Sequence, residues 1–443
     1  MSNSELNQAT ERDSAGGASI VGFVRKWAGF SIVSFFFFLV TAGTFTSLGV
    51  VLPHMIGELG WNYSQAGVGF SLLALLVGLA AMVPAWIIRR WGIKTSFAVG
   101  GACLAIGFAL LATATTLMQY FLGASFAGFG YTLCAIVPAV HYFNAKVDAK
   151  RRAAVIGAYL TVGGLGGVVG PLLATGVVEL LGDWRFHWWV LASVTVVMTL
   201  LAVSFVDDNK SAAVLAEEET AKSGEAGTDA PYEWSFRQVL RTKEYYIIVF
   251  SMTLTLVCGL TMNSWAVAHM GALGVSGAIA AGALSMHALV NSFSRGIGGL
   301  LANRIDPKWL LVSALFAEII GMLALSSADN SFMIGLFAIA EGYGFGMCLF
   351  ATTLLLVNYY GTANNPEVQG SMHFITTLAM VGPAAAGLVA DKIGTFSVVF
   401  VAYAVMLLGV LVAAITMRKP KPPVSTGAAG SSFIASDLQP TAE

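Results

Sequence analysis

Long apolar stretches, each separated from the next by a few polar or charged residues, follow one another from about residue 28 to residue 417. Twelve of them are long enough to cross about 30 Å of hydrocarbon at 1.5 Å of rise per helical residue. They lie near 28–56, 66–88, 95–116, 118–145, 153–181, 188–206, 245–271, 276–302, 309–327, 331–360, 369–390 and 395–417. Gly and Pro inside these runs do not disqualify them, because neighbouring helices satisfy the backbone groups that such residues free. The pattern predicts an all-α integral membrane protein with twelve transmembrane helices.

Composition agrees. Of 443 residues 57% are hydrophobic and 11% charged, too little polar surface to solvate a globule of this size. The net charge of −1 says little, but the placement of positive residues says more. With the N-terminus in the cytoplasm, all of the 23 Lys and Arg fall in inside segments except Arg185, Lys392 and Arg295. By the positive-inside rule both termini are then cytoplasmic, in a multi-pass protein of the cell inner (plasma) membrane. The cluster Lys146, Lys150, Arg151 and Arg152 reads as a topology anchor, not a nucleic-acid patch. Residues 1–24 lack the cleavage pattern of a removable signal. Cys103, Cys134, Cys258 and Cys348 all fall within spans, which argues against disulfides and against a zinc site. No resident cofactor is expected, only a proton gradient as driving force.

The chain repeats itself at an offset of about 214 residues: Gly128-Phe129-Gly130-Tyr131 with Cys134 and Asn144 matches Gly342-Tyr343-Gly344-Phe345 with Cys348 and Asn358. Arg89-Arg90 aligns with Asn303-Arg304, and Val169-Gly170-Pro171 with Val381-Gly382-Pro383. A duplicated six-helix unit follows, with a cytoplasmic tail over 1–24, one bundle over 25–206, a hydrophilic linker over 207–243, a second bundle over 244–418 and a disordered tail over 419–443. Within the linker, Ser235 to Thr242 reads as a short amphipathic helix.

Two pseudo-symmetric six-helix bundles of this kind resemble the major facilitator transporters. Ala85 to Lys94 stands where their loop between the second and third helices carries Gly-x-x-x-Asp-Arg-x-Gly-x-Arg/Lys, keeping Arg90, Gly92 and Lys94; Gly299 to Arg304 repeats the pattern. Gly49 to Trp61, Gly182-Asp183-Trp184-Arg185, Ser235 to Tyr245, Tyr360-Gly361, Val368 to Ser371, Gly382-Pro383, Gly387, Asp391 and Gly394 resemble the monocarboxylate porter family and the related oxalate/formate-type antiporters. That resemblance implies alternating access to a site between the bundles.

Arg295 is the residue that says most. A guanidinium at the centre of a membrane helix costs about 2.5 to 3.5 kcal/mol on insertion scales, and no acid lies in the run from Ser276 to Ala302 to offset it. It either anchors an anion or braces the bundle against an internal acid such as Glu341. His287, Asn291 and Arg295 stand at i, i+4, i+8 on one stripe, so Asn291 is a further donor to a carboxylate docked on Arg295. The resemblance implies an Asp four residues before the Arg and a Lys in the first helix; here these are Asn291 and Thr46, so the family's proton relay does not carry over. His287 and Glu341 are the local alternatives for proton coupling, each with a purely structural hydrogen bond as the other reading. Glu318 reads as a packing or interfacial partner. Thr46 and Asn263 line the expected cavity with Tyr131 and Tyr343 as walls, and Phe45 and Trp265 set its apolar side. A single fixed cation favours a monoanion, since a dianion leaves one carboxylate unpaired in a dry site.

These readings converge on a secondary transporter of a small organic monocarboxylate, coupled to a proton by symport and functional as a monomer. Organic-anion exchange, drug/proton antiport and a non-transporting receptor are the alternatives. A membrane enzyme is disfavoured because no nucleophile–base or metal constellation is present.

Overall fold

The computed structural model describes residues 27–147, 149–206, 234–302, 304–361 and 365–420. The tail over 1–24, the linker up to residue 233, Asn303 and all but the first residues of the C-terminal tail lie outside the described residues.

Twelve long helices run in sequence: α1 (Trp27–Leu59), α2 (Tyr63–Trp91), α3 (Ile93–Ala112), α4 (Leu117–Lys146), α5 (Ala149–Leu181), α6 (Trp184–Phe205), α7 (Lys243–Ala272), α8 (Gly277–Leu301), α9 (Pro307–Ser326), α10 (Ser331–Tyr360), α11 (Glu367–Ile393) and α12 (Ser397–Thr416). Eleven are long and apolar enough to cross a membrane, and α8 is the one that falls short. His287, Asn291, Ser292, Ser294 and Arg295 dilute the apolar character of α8. The expected amphipathic helix of the linker is a single turn, Phe236–Val239.

Short polar connections fix the helix ends. Asn62 and Gln65 make a capping box at the start of α2, as do Thr116 and Gln119 at the start of α4. Asp183, Thr242, Ser276, Asp306 and Asn330 each accept a backbone N–H at the start of α6, α7, α8, α9 and α10. α1 and α11 stop at Gly60 and Gly394, both in the left-handed conformation.

Three helices are locally irregular next to a proline, whose ring displaces the carbonyl four residues back. α2 tightens to a 3₁₀ turn over Ala80–Met82 before Pro84, α11 over Thr377–Met380 before Pro383, and α4 breaks at Ala135 before Pro138. α1 carries a π turn over Ala42–Thr46 with no proline beside it.

α1 to α6 pack with one another, as do α7 to α12, the tightest pairings being α3 with α4 and α9 with α10. Between the two groups, α2 packs on α11, α5 on α8 and α1 on α7. The duplication exchanges the first two pairings, since it maps α2 onto α8 and α5 onto α11. Glycines set these crossings: Gly67 lies under the Pro383 carbonyl, Gly387 under that of Tyr63 and Gly49 under that of Asn263. Each leaves no room for a Cβ. The polar links between the groups sit at or toward the end of the bundle that carries residues 60–62 and 394–396: Asp391 accepts from the backbone of Tyr63 and Ser64, and Ser71 accepts from that of Ala384. These polar links join the two halves at that end.

Candidate functional site

The lipid-facing stripe of α8 is read from its exposed large apolar residues, Ile279, Met286, Phe293, Ile297 and Leu300, which recur at steps of seven, four and three. Arg295 is two residues on from Phe293, about 200° around the helix, so it points away from lipid. By accessible area Arg295 is exposed. Its Nε donates to Asn291 Oδ1 at 3.1 Å. Tyr131 of α4, beside Thr41 of α1, lies within electrostatic reach of the guanidinium. The Thr41 hydroxyl itself has no described partner in good hydrogen-bond geometry. Among the described residues no carboxylate pairs with Arg295. The brace to Glu341 that the sequence left open is therefore not formed.

Asn291 is placed differently from the expectation. Its Oδ1 is occupied as the acceptor for Arg295, so it aims the guanidinium. Gly346 of α10 gives it space, having no room for a side chain of its own against Asn291 and Ser294. Phe45 packs edge-on to Tyr131, with ring centroids 5.8 Å apart, and on Phe70 at 5.9 Å. Phe45 lies within the π turn of α1, which the sequence did not announce; insertions of this type occur often where a helix serves a site.

Other expected lining residues lie elsewhere. Thr46 donates to the carbonyls of Thr41 and Ala42 in its own helix and packs against Gly170 of α5. Asn263 Nδ2 donates to the Gly259 carbonyl of its own helix at 2.8 Å. The Tyr343 hydroxyl pairs with Ser313 of α9 at 2.8 Å, so Tyr343 is turned into its own half. Trp265 is wholly buried between Tyr63 and Phe396, with Nε1 donating to the Pro383 carbonyl, and seals the joined end instead of lining the cleft.

His287 is paired with Glu341, both of them buried. Nε2 of His287 lies directly against Oε2 of Glu341. Phe337 stacks parallel to the imidazole at 6.3 Å and Phe345 meets it edge-on at 6.1 Å, closing it off from water. His287 precedes Arg295 by eight residues, which is about 12 Å along α8. The pair thus sits behind Asn291, inside the C-terminal group of helices, and outside direct contact with a ligand on Arg295. Glu318, read from sequence as a packing residue, is fully buried and accepts from the Thr255 hydroxyl. The same spacing, Glu-x-x-Gly, begins at Glu318 and at Glu341 and is visible in the sequence.

A family profile described as the Major Facilitator Superfamily matches residues 33–380 and 272–440. The chain belongs to the Major Facilitator Superfamily. Among curated relatives of this superfamily member, human "Monocarboxylate transporter 11" is 25% identical over 378 residues, covering 81% of this chain and 76% of that protein. The "Hexuronate transporter" of Bacillus subtilis (strain 168) is 24% identical over 372 residues, covering 77% and 81%. Among solved structures, the nucleoside transporter NupG superimposes with a TM-score of 0.67 at 17% identity, covering 90% of this chain and all of that one. A bacterial homologue of the human lysosomal transporter Spinster, in an inward-facing and occupied conformation, superimposes with 0.66 at 16% identity, covering 89% and 98%. This facilitator is a multi-pass membrane transporter with the fold of its superfamily, and its relatives carry small molecules, not chemical reactions.

Proposed function

We propose that this transporter moves a small organic monocarboxylate together with a proton, by alternating access, with Arg295 as the anion anchor. The observation that carries the reading is the state of that guanidinium: it lies within electrostatic reach of Tyr131, is aimed by Asn291, and has no acid against it among the described residues. A carboxylate has the planar, two-oxygen geometry that a guanidinium binds bidentately. The names of two relatives, a monocarboxylate and a hexuronate transporter, support an acid as cargo. Each of those cargoes bears one carboxylate, in keeping with one unpaired cation.

Proton coupling is assigned to His287 and Glu341, a pair that is neutral with one shared proton and charged without it. The polar links at the end carrying residues 60–62 support a state joined there, with the termini on the cytoplasmic side of the plasma membrane. The protein works as a monomer, since Arg295, Asn291 and Tyr131 come from one chain.

The test is uptake of labelled keto, hydroxy and aromatic monocarboxylates into proteoliposomes, with and without an inward proton gradient. Saturable uptake that acid outside stimulates and Arg295→Ala abolishes supports the reading. Uptake untouched in Arg295→Ala removes the anchor from the site, and acceleration only by unlabelled anion on the far side replaces symport by exchange.

A further inference from the structure

Behind the His287–Glu341 pair lies a second carboxyl group that the transport reading leaves unused. Glu318 of α9 is fully buried, and its two oxygens lie 2.8 and 3.0 Å from the Thr255 hydroxyl of α7. That hydroxyl is also 3.1 Å from Cys348 Sγ of α10. No cation pairs with Glu318 among the described residues.

α9 and α10 run antiparallel, and each carries Glu-x-x-Gly. Gly344 faces Glu318, and Gly321 faces Glu341, where an added Cβ on Gly321 falls 2.6 Å from that of Glu341. The two glycines let each helix take up the acid of the other, so both carboxyl groups occupy one dry seam. Around it stand Cys258 on α7, Cys348 on α10 and His287 on α8 through Glu341, with Tyr403 of α12 beyond Cys258. His287 is the one member of this set able to carry positive charge.

Charge counting then limits the protonation states. With no proton the three groups carry two negative charges in a medium that water does not reach, with one proton a single negative charge, and with two protons none. Carboxyl groups that share such a site do not both ionise. The Thr255 hydroxyl accommodates either form of Glu318: it donates to a carboxylate, or accepts from a carboxylic acid while donating to Cys348 Sγ.

The geometry points to Glu318, Glu341 and His287 acting as one site that holds two protons when loaded and one when unloaded. The proton exchanged with water in each cycle leaves the His287–Glu341 pair, and the one retained stays on a carboxyl group, resting on Glu318 while Glu341 is ionised. This rests on the proton-coupled reading above and adds to it a second, retained proton and the residue that keeps it.

The test needs no substrate: infrared spectra of the purified full-length protein, titrated across pH in detergent, follow the carbonyl band of protonated buried carboxyl groups. In the wild type part of that band is expected to persist at pH values where exposed acids are ionised, and Glu318→Gln, a near-isosteric change, is expected to remove that part. Glu341→Gln is expected to move the midpoint of the remaining band by about one pH unit or more, as coupled groups require. A Glu318→Gln spectrum that matches the wild type at every pH overturns the proposal, and so does a midpoint that ignores Glu341. Thr255→Val is the second variant: it keeps both acids and is expected to displace the Glu318 band in frequency, whereas an unmoved band means the hydroxyl does not touch a titrating group. Since no transported anion enters the measurement, loss of the monocarboxylate reading and loss of the retained proton give separate results.

Discussion

The carboxylate of Asp391, near the end of α11, accepts the backbone N–H of Tyr63 at the start of α2 at 2.9 Å, and that of Ser64 at 2.8 Å. One half of the protein thus caps a helix of the other. A helix N-terminus bears partial positive charge and unsatisfied donors, so a carboxylate there is held by both. Asp391→Ala is expected to cost the closed arrangement about 1 kcal/mol, a roughly fivefold change in population in favour of the opposite access state. Spin labels on Gly57→Cys and Thr395→Cys, read as a distance distribution, check this; an unchanged distribution means the cap does not govern closure.

Arg295 sets transport against stability. Losing its charge-assisted bonds to a bound carboxylate is expected to cost about 2 to 5 kcal/mol, a loss of about 30-fold or more in affinity. Arg295→Lys retains the charge but not the planar fork, and is expected to fall between the wild type and Arg295→Ala. Arg295→Leu, by contrast, is expected to raise the thermal unfolding midpoint, because it relieves the cost of holding a cation at membrane depth. A variant that loses both transport and stability would mean that the guanidinium braces the fold.

Asn291 aims the guanidinium, and its replacements separate aim from charge. Asn291→Ala frees Nε and is expected to raise KM several-fold with little change in maximal rate. Asn291→Leu removes the acceptor without adding charge, and is expected to behave as Asn291→Ala does. Uptake with an unchanged KM in both variants means that Asn291 does not aim the guanidinium.

Glu341→Gln is expected to leave exchange of labelled for unlabelled anion intact at equal pH while removing accumulation driven by acid outside. The two assays run on the same vesicles. Retained acid-driven accumulation takes the coupling away from Glu341.

Gly321→Ala is expected to destabilise the protein by about 1 to 3 kcal/mol, because the new methyl meets the backbone and Cβ of Glu341 at 2.6 to 2.8 Å and neither can give way. Gly335→Ala on α10, with open space at its Cβ, is expected to stay within about 0.5 kcal/mol of the wild type. Thermal unfolding followed by tryptophan emission compares them.

The helices were readable from the apolar runs because lipid demands them, and the duplication was readable because both halves keep the same glycines and aromatics. The position of Arg295 followed from its cost. Which way a side chain turns was less readable. Tyr131 and Phe345 occupy equivalent places in the repeat, yet one lies beside Thr41 of α1 and the other packs on His287 of its own half, because symmetry of sequence does not fix the local partner. Trp265 and Asn263 looked like cavity walls on polarity and size alone, and packing placed one in the seal and the other on its own helix. The link from Asp391 to Tyr63 spans 328 residues and rests on backbone donors, which carry no sequence signal.

α8, diluted by His287, Asn291 and Arg295, also bears on biogenesis. Its polar flank packs against α5, made before it, and α10, made after it, with Ser292 against Gly164 and Ser294 against Gly346. That flank is therefore sheltered only once the chain has delivered helices from both sides of it in sequence.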